Sequence, residues 1–553
     1  MRSRFLLGAA LLAAAAPATA QTLPDSVLRK VDQVFAAYDR TDSPGCAMGI
    51  YRDGRIAYAR GYGMANLELG IALSPRSVLD IGSTSKQFTA FAIALLEQDG
   101  KLSQADPVRK YLPELGAYAD GIKVADLVHH TSGLRDYLVL LYLAGFRDAD
   151  LTDDEDALRL IVRQQAANFA PNTEWLYSNT GYFLLSVIVK RVSGKSLRAF
   201  AQERMFTPLG MRATHFHDDH AMIVENRATG YSPAEAGGYG IEMSNYEQTG
   251  DGAIQTSIEE MLLWDGNFYD GKVGGMDLIR RQQVPSFLLD GKPTKYASGL
   301  MIDAYRGLKT VRHGGAWAGY RAELLRFPDQ HTSIACLCNR GDANPSRFAD
   351  KVADVILAGQ LQPVPAVTLP GVPAEGVLLT PDVLKARAGV YRGRKTGDVR
   401  IVRLEGSQLA LVLGRAIPMV PLSPERFQIM GEYTLVFGSD NGKPTLRAEQ
   451  QQLGDDVYEL VPAFTPTAVQ LAEFAGAYYA EELDAEYRIT ADSAGLDIGL
   501  RGRRLTRVTP TFADAFNGDQ GESLLFTRDR KGRLTGFTVG AGRVRNILFA
   551  RRP

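Results

Sequence analysis

Cysteine is scarce in this sequence. Three occur in 553 residues, Cys46, Cys336 and Cys338, too few for the cross-linked framework of a disulfide-rich exported protein. Stability is therefore expected to come from packing, with Cys336 and Cys338, two apart in the strand-like run Thr332 to Cys338, on one side of a sheet as small buried hydrophobes. Net charge is equally scant: 62 Lys plus Arg stand against 63 Asp plus Glu. No long-range field would draw nucleic acid or acidic lipid, so partners must be recognised by local contacts. After the first twenty residues no apolar run of membrane-spanning length occurs. Also missing are the G-x-S-x-G nucleophile elbow, the phosphate-binding G-x-x-x-x-G-K and a dinucleotide fingerprint, and no cofactor is implied.

What is present reads as a folded chain. Hydrophobic residues make up 45% and charged residues 23%, ordinary for globular domains, and the length suggests three or four of them. Arg2 and Arg4 precede the apolar run Phe5 to Ala16, and Ala18-Thr19-Ala20 has the small-x-small form of a cleavage site. Residues 1–20 are thus expected to be an export signal, which makes the mature chain periplasmic or secreted; Gln21 in place of a cysteine leaves no site for a lipid anchor.

An amphipathic helix is predicted between Pro24 and Arg40, followed by strands Cys46 to Arg52 and Arg55 to Tyr62 about the hairpin dipeptide Asp53-Gly54. Residues 80 to 270 are mainly helical, with patterns at Thr84 to Gln98, Gly181 to Val192 and Ser257 to Phe268. Strands return near Leu308 to Ala316, Tyr320 to Phe327 and Thr332 to Cys338, before a helix with Phe348, Val352, Val355 and Ile356 on one face. This order predicts an α+β domain over 21–359: one antiparallel sheet flanked by the end helices and interrupted by an all-helical subdomain. Prolines at 363, 365, 370, 373 and 381 mark a stiff linker over 360–380. Beyond it, Leu384…Ala388-Gly389-Val390-Tyr391 is echoed 87 residues later by Leu471…Ala475-Gly476-Ala477-Tyr478. Two small antiparallel β-barrels, 381–463 and 466–553, fit these β-rich halves.

Three short motifs carry chemistry. Ser83-Thr84-Ser85-Lys86 opens a helix, and its spacing brings the Lys86 amine within reach of the Ser83 hydroxyl. Tyr177-Ser178-Asn179 precedes an apolar helix, where Asn179 would otherwise be read as an ordinary helix cap. His313-Gly314-Gly315-Ala316 ends a strand. Together, and in this order, they resemble the penicillin-recognising serine hydrolases, the group of class C β-lactamases, D-aminopeptidases and related esterases, whose pattern is S-x-x-K, Y-x-N, then K-T-G or H-x-G. The resemblance spans about residues 25 to 358, and His130-Thr131-Ser132-Gly133-Leu134 is further text in the family's style. The tail resembles the three-domain layout of D-aminopeptidases.

The resemblance implies that Ser83 is the nucleophile, that Lys86 or Tyr177 takes its proton, and that Tyr177 passes a proton to the leaving group. It implies that Asn179 orients Lys86 and the substrate amide, and that the amides of Ser83 and Ala316 hold the oxyanion. Gly314 and Gly315 would let the third motif, on a sheet-edge strand, lie against substrate. One departure stands out: His313-Gly314 replaces the Lys-Thr that holds a β-lactam carboxylate. An amide or ester hydrolase for a small acyl, D-amino-acid or peptide substrate is therefore expected ahead of a β-lactamase, with a non-catalytic cell-wall or peptide-binding protein as the contrasting reading. The run His215-Phe216-His217-Asp218-Asp219-His220 matches neither H-E-x-x-H nor a Cys-His zinc pattern and reads as a polar loop of the helical insertion lining the cleft. The tail, held near by its short linker, is expected to restrict substrate size.

Overall fold

A computed structural model describes residues 23–363, 377–413, 415–429, 433–449, 456–518 and 520–553. The expected export signal and the centre of the linker, 364–376, lie outside the described residues. Six strands form the main sheet: β1 (Cys46–Arg52), β2 (Arg55–Tyr62), β3 (Met301–Tyr305), β4 (Leu308–Trp317), β5 (Tyr320–Phe327) and β6 (Thr332–Cys338). They run β3-β4-β5-β6-β1-β2, antiparallel throughout. The chain's first and last strand blocks thus meet at the β1–β6 pairing, which closes the domain around everything inserted between them.

Period-two alternation builds two cores. Met48 and Ile50 of β1 face helices α1 (Asp25–Phe35) and α6 (Pro345–Ile356), through Val31, Phe35, Phe348 and Val352. Ala47 and Tyr51 point the other way, into a larger core shared with α2 (Lys86–Gln98), α3 (Tyr137–Leu143), α4 (Asn179–Ser193) and α5 (Ile258–Asp270). α2 and α4 are buried nearly all round, as helices at the centre of a subdomain must be. Among the described residues, no helix is long and apolar enough to cross a membrane.

Two expectations need correction. Cys46 and Cys338 are bonded in a disulfide, so Cys338 is more than a small hydrophobe; the two are directly opposed in the β1–β6 register, a relation that only the sheet order reveals. Cys336 remains free and buried. The second concerns the edge. β3, absent from the sequence reading, covers the outer side of β4, but its pairing starts only at Met301–Arg312. Residues 313–317 therefore run past its end with that side of the strand open.

The tail forms two closed eight-stranded barrels, from Gly389–Gly393 to Val457–Val461 and from Gly476–Ala480 to Val544–Arg551. The first keeps its own core around Tyr391, Phe427 and Phe437. The second does not: Tyr478, Tyr487, Phe537 and Phe549 belong to the same buried cluster as the helical subdomain. Tyr487 donates to the Leu143 carbonyl (2.7 Å) at the end of α3, and Arg135 pairs with Glu482 at 2.6 Å. That ion pair is almost wholly buried.

Candidate active site

Ser83 sits on a 3₁₀ turn, Gly82–Ser85, that leads into α2. Asp80 shapes the turn by accepting the Gly82 amide (2.7 Å), and Gly82 takes φ +48°, where a side chain would be strained. The turn lies directly on β4. A Cβ at Gly82 would come within 2.7 Å of the Ala316 amide, and one at Gly315 within 1.9 Å of the Ile81 carbonyl. Gly315 is thus required by the close approach of the turn, rather than by room for substrate as the sequence suggested. Thr84 Oγ1 donates to the His313 carbonyl (3.1 Å) and fastens turn to strand.

Lys86 is fully buried beneath Ser83. Its Nζ lies 3.1 Å from Ser83 Oγ, 2.9 Å from Asn179 Oδ1 and 2.5 Å from the Asp251 carbonyl. The last two atoms only accept hydrogen bonds; the serine hydroxyl can accept or donate. Burial lowers the lysine's pKa, against the opposing pull of Asp251. The Asp251 carboxyl, also buried and raised for that reason, accepts from Tyr137 Oη at 3.2 Å. Asn179 is placed by its own amide, which donates to Asp136 Oδ2 (2.9 Å), while Asp136 caps α3 through Leu138 N.

Tyr177 packs over Lys86, with 4.8 Å from Nζ to the ring centroid. Burial raises its phenol pKa; the adjacent Ser83 hydroxyl acts the other way, although no hydrogen bond of good geometry joins them and Tyr177 Oη is a buried group without a partner. His130 holds the segment in place: its ring packs at a tilt against Tyr177, centroids 4.2 Å apart, and its Nδ1 accepts from Ser178 N at 3.2 Å.

His313 is neutral, its pKa pushed down to about 4 by burial and then by Lys86. Nδ1 lies 2.6 Å from the Gly314 carbonyl, and Nε2 2.9 Å from Tyr296 Oη. A carbonyl only accepts, so Nδ1 carries the hydrogen and Nε2 accepts from the tyrosine. Both ring nitrogens are spent inside the protein, so the imidazole braces the strand instead of presenting a charge.

The open side of β4 supplies the donors. Two-residue connections join β3 to β4 and β4 to β5, with Tyr305 opposite Leu308 and Trp317 opposite Tyr320. Pairs flanking such hairpins exchange both backbone bonds, and the direction alternates along the strand. Residues 313, 315 and 317 therefore bond to β5, while the amides of Gly314 and Ala316 point past the end of β3. Ser83's own amide stands in the first turn, where helical amides lack an intrahelical acceptor.

Ser83, Tyr177, Asn179 and residues 313–316 line one cleft of about 810 Å³, with Lys86 under its floor. All eight residues singled out from the sequence thus come together. The histidine run contributes His217 to the wall, while His220 turns to Glu247 at 2.6 Å. Asp136, Asp251 and Arg543 also shape the site and were not singled out, while His130 was quoted from the sequence only as part of a family-style run, with no role attached. Only Asp251, held between Gly250 and Gly252, carries a local hint of close backbone approach.

The family model described as Beta-lactamase matches residues 31–358. A D-aminopeptidase of Cereibacter sphaeroides is 29% identical over 542 residues, covering 92% of this chain and 96% of its own. The octameric penicillin-binding protein homologue from Pyrococcus abyssi superposes with a TM-score of 0.55 at 24% identity, over 78% of this chain and 98% of that one. A D-amino acid amidase from Ochrobactrum anthropi, solved with L-phenylalanine amide, gives 0.51 at 19%, over 60% and 99%.

Proposed function

This chain belongs to the beta-lactamase family and is a serine hydrolase acting on amide bonds; on that premise we propose that it acylates Ser83 with a small D-aminoacyl or short peptide substrate. The observation that carries the proposal is the set of partners around Lys86. A neutral amine has two hydrogens and one lone pair. The Asn179 and Asp251 oxygens accept the two hydrogens, which leaves the lone pair for the Ser83 proton. Lys86 is then the first base, and burial keeps its neutral form accessible.

In this mechanism Ser83 Oγ attacks the carbonyl carbon as its proton moves to Lys86, and the amides of Ser83 and Ala316 hold the oxygen that becomes negative. The C–N bond then breaks. Tyr177, a phenol that burial keeps protonated, supplies the proton that the departing amine needs, and is restored from Lys86. Water repeats the attack on the ester to release the acid. The D-aminopeptidase relative supports D-configured substrates, and a neutral, internally bonded His313 speaks against the carboxylate grip of a β-lactamase. Export to the periplasm or beyond is part of the proposal. A Cys46–Cys338 disulfide suits an oxidising compartment.

Ser83→Ala tests the reading. It should abolish fluorophosphonate labelling and cut turnover of D-aminoacyl amides by several orders of magnitude, on the order of 10⁴ or more. Labelling and turnover equal to the parent enzyme would dismiss the nucleophile.

A further inference from the structure

One wall of the cleft comes from the far end of the chain. Arg543 lies on the two-residue connection between Leu534–Ala541 and Val544–Arg551, the last hairpin of the second barrel. Gly542 takes φ +52° and turns the chain tightly enough for the next residue to project. The connection is moored to the helical subdomain by backbone contacts: Asn168 Nδ2 donates to the Arg543 carbonyl (2.8 Å), and Asn168 Oδ1 accepts from Arg545 N (2.8 Å).

From this mooring the guanidinium reaches into the cleft. It stacks on the Tyr177 ring, 4.9 Å from the centroid, and donates through one Nη to Asp136 Oδ2 at 3.1 Å. No other side-chain hydrogen bond of Arg543 is found among the described residues. Asp136 is wholly buried, whereas the Arg543 side chain is 42% exposed. One Nη is thus engaged with the carboxylate, and a half-exposed guanidinium with donors to spare stands in the wall of the cleft. No charge comes from the third motif, because His313 is neutral and engaged.

We propose that Arg543 binds a free carboxylate on the leaving group of the substrate. The class this selects is a short peptide whose departing amine belongs to an amino acid with a free C-terminus, rather than a simple amide. Position fixes which side of the substrate is meant: the arginine lies on Tyr177, the residue that hands its proton to the departing amine. The inference rests on the acylation mechanism above in that clause only. Chemistry fixes the group, since a planar guanidinium with donors to spare matches a carboxylate in a two-bond fork. It also supplies a reason for a barrel 460 residues from Ser83 to touch the site.

The test uses the full chain and a matched pair, alanyl-glycine and alanyl-glycinamide, in whichever alanyl configuration is turned over. The two differ only in the leaving group's carboxylate. The parent enzyme should favour alanyl-glycine in kcat/KM, and Arg543→Gln should lower that preference about ten- to a hundredfold, the worth of a charge-assisted pair. Arg543→Lys keeps a cation for Asp136 but loses the fork, so it serves if the first variant fails to fold; the preference should fall there too, by less. An unchanged preference in either folded variant, with Ser83-dependent turnover intact, overturns the proposal and leaves the acyl-enzyme reading standing. Turnover that persists in Ser83→Ala would overturn the latter instead.

Discussion

At the scale of single residues, the site is a problem of keeping one amine neutral under one hydroxyl. Burial pushes Lys86 below its ordinary pKa of about 10.4. The base is active when deprotonated, so kcat/KM should climb with pH along a limb that lies below that ordinary value. Activity is lost as falling pH protonates the amine. Asn179→Asp changes one atom type and sets a negative charge where Oδ1 now lies, 2.9 Å from Nζ. A nearby anion favours the ammonium form, so the limb should move to higher pH, with neutral-pH turnover depressed and partly recovered in alkali. A pH–rate profile of the two enzymes checks this, and an unmoved limb would mean that the limb does not report Lys86. Much of this arrangement is legible in the sequence, because S-x-x-K fixes the Ser83–Lys86 relation on one helical turn. Asp251 and Asp136 are not, since each acts through a backbone carbonyl or a cap that no spacing announces.

At the scale of elements, the 3₁₀ turn and β4 are held at a distance that two glycines set. Gly315→Ala would drive a methyl against the Ile81 carbonyl, 1.9 Å away, and backbone on both sides has nowhere to go. The expected cost is about 1–3 kcal/mol of stability and, because the Ser83 and Ala316 amides are pushed apart, a loss of about a hundredfold in kcat/KM. Chemical denaturation with steady-state kinetics measures both; wild-type values in both would show that the turn stands farther from the strand. The sequence reading found β1, β2, β4, β5 and β6 as strand-like runs, the first two about Asp53-Gly54, and α1, α2, α4, α5 and α6 from their apolar patterns, but not the short α3. It missed β3, five residues with two exposed positions and too little hydrophobic pattern to register. Hence its picture of β4 as a simple edge strand, when the open edge is only the part that outruns β3.

At the scale of the whole molecule, the second barrel and the helical subdomain are one buried body. Arg135 and Glu482 exchange a 2.6 Å ion pair with side chains 2% and 9% exposed, and Gln165 N also donates to the same carboxylate (2.7 Å). Glu482→Gln keeps the shape and removes the charge, stranding a buried guanidinium. Breaking a buried pair from one side costs about 3–5 kcal/mol, and the shared core should carry that loss into the catalytic region, so that calorimetry shows the catalytic region and the second barrel melting together at a lower temperature. A catalytic transition that stays put while another moves would contradict the shared core. The repeat at an 87-residue interval revealed two barrels, but nothing in either barrel's sequence tells which one packs against the helices. That choice is made by side chains hundreds of residues apart, such as Tyr487 and Leu143.

The hairpin that carries Arg543 follows Ser83 by 460 residues along the polypeptide. A nascent chain already holds its serine, lysine and tyrosine long before this wall exists, so the cleft takes its finished shape only once the second barrel has been made and has docked.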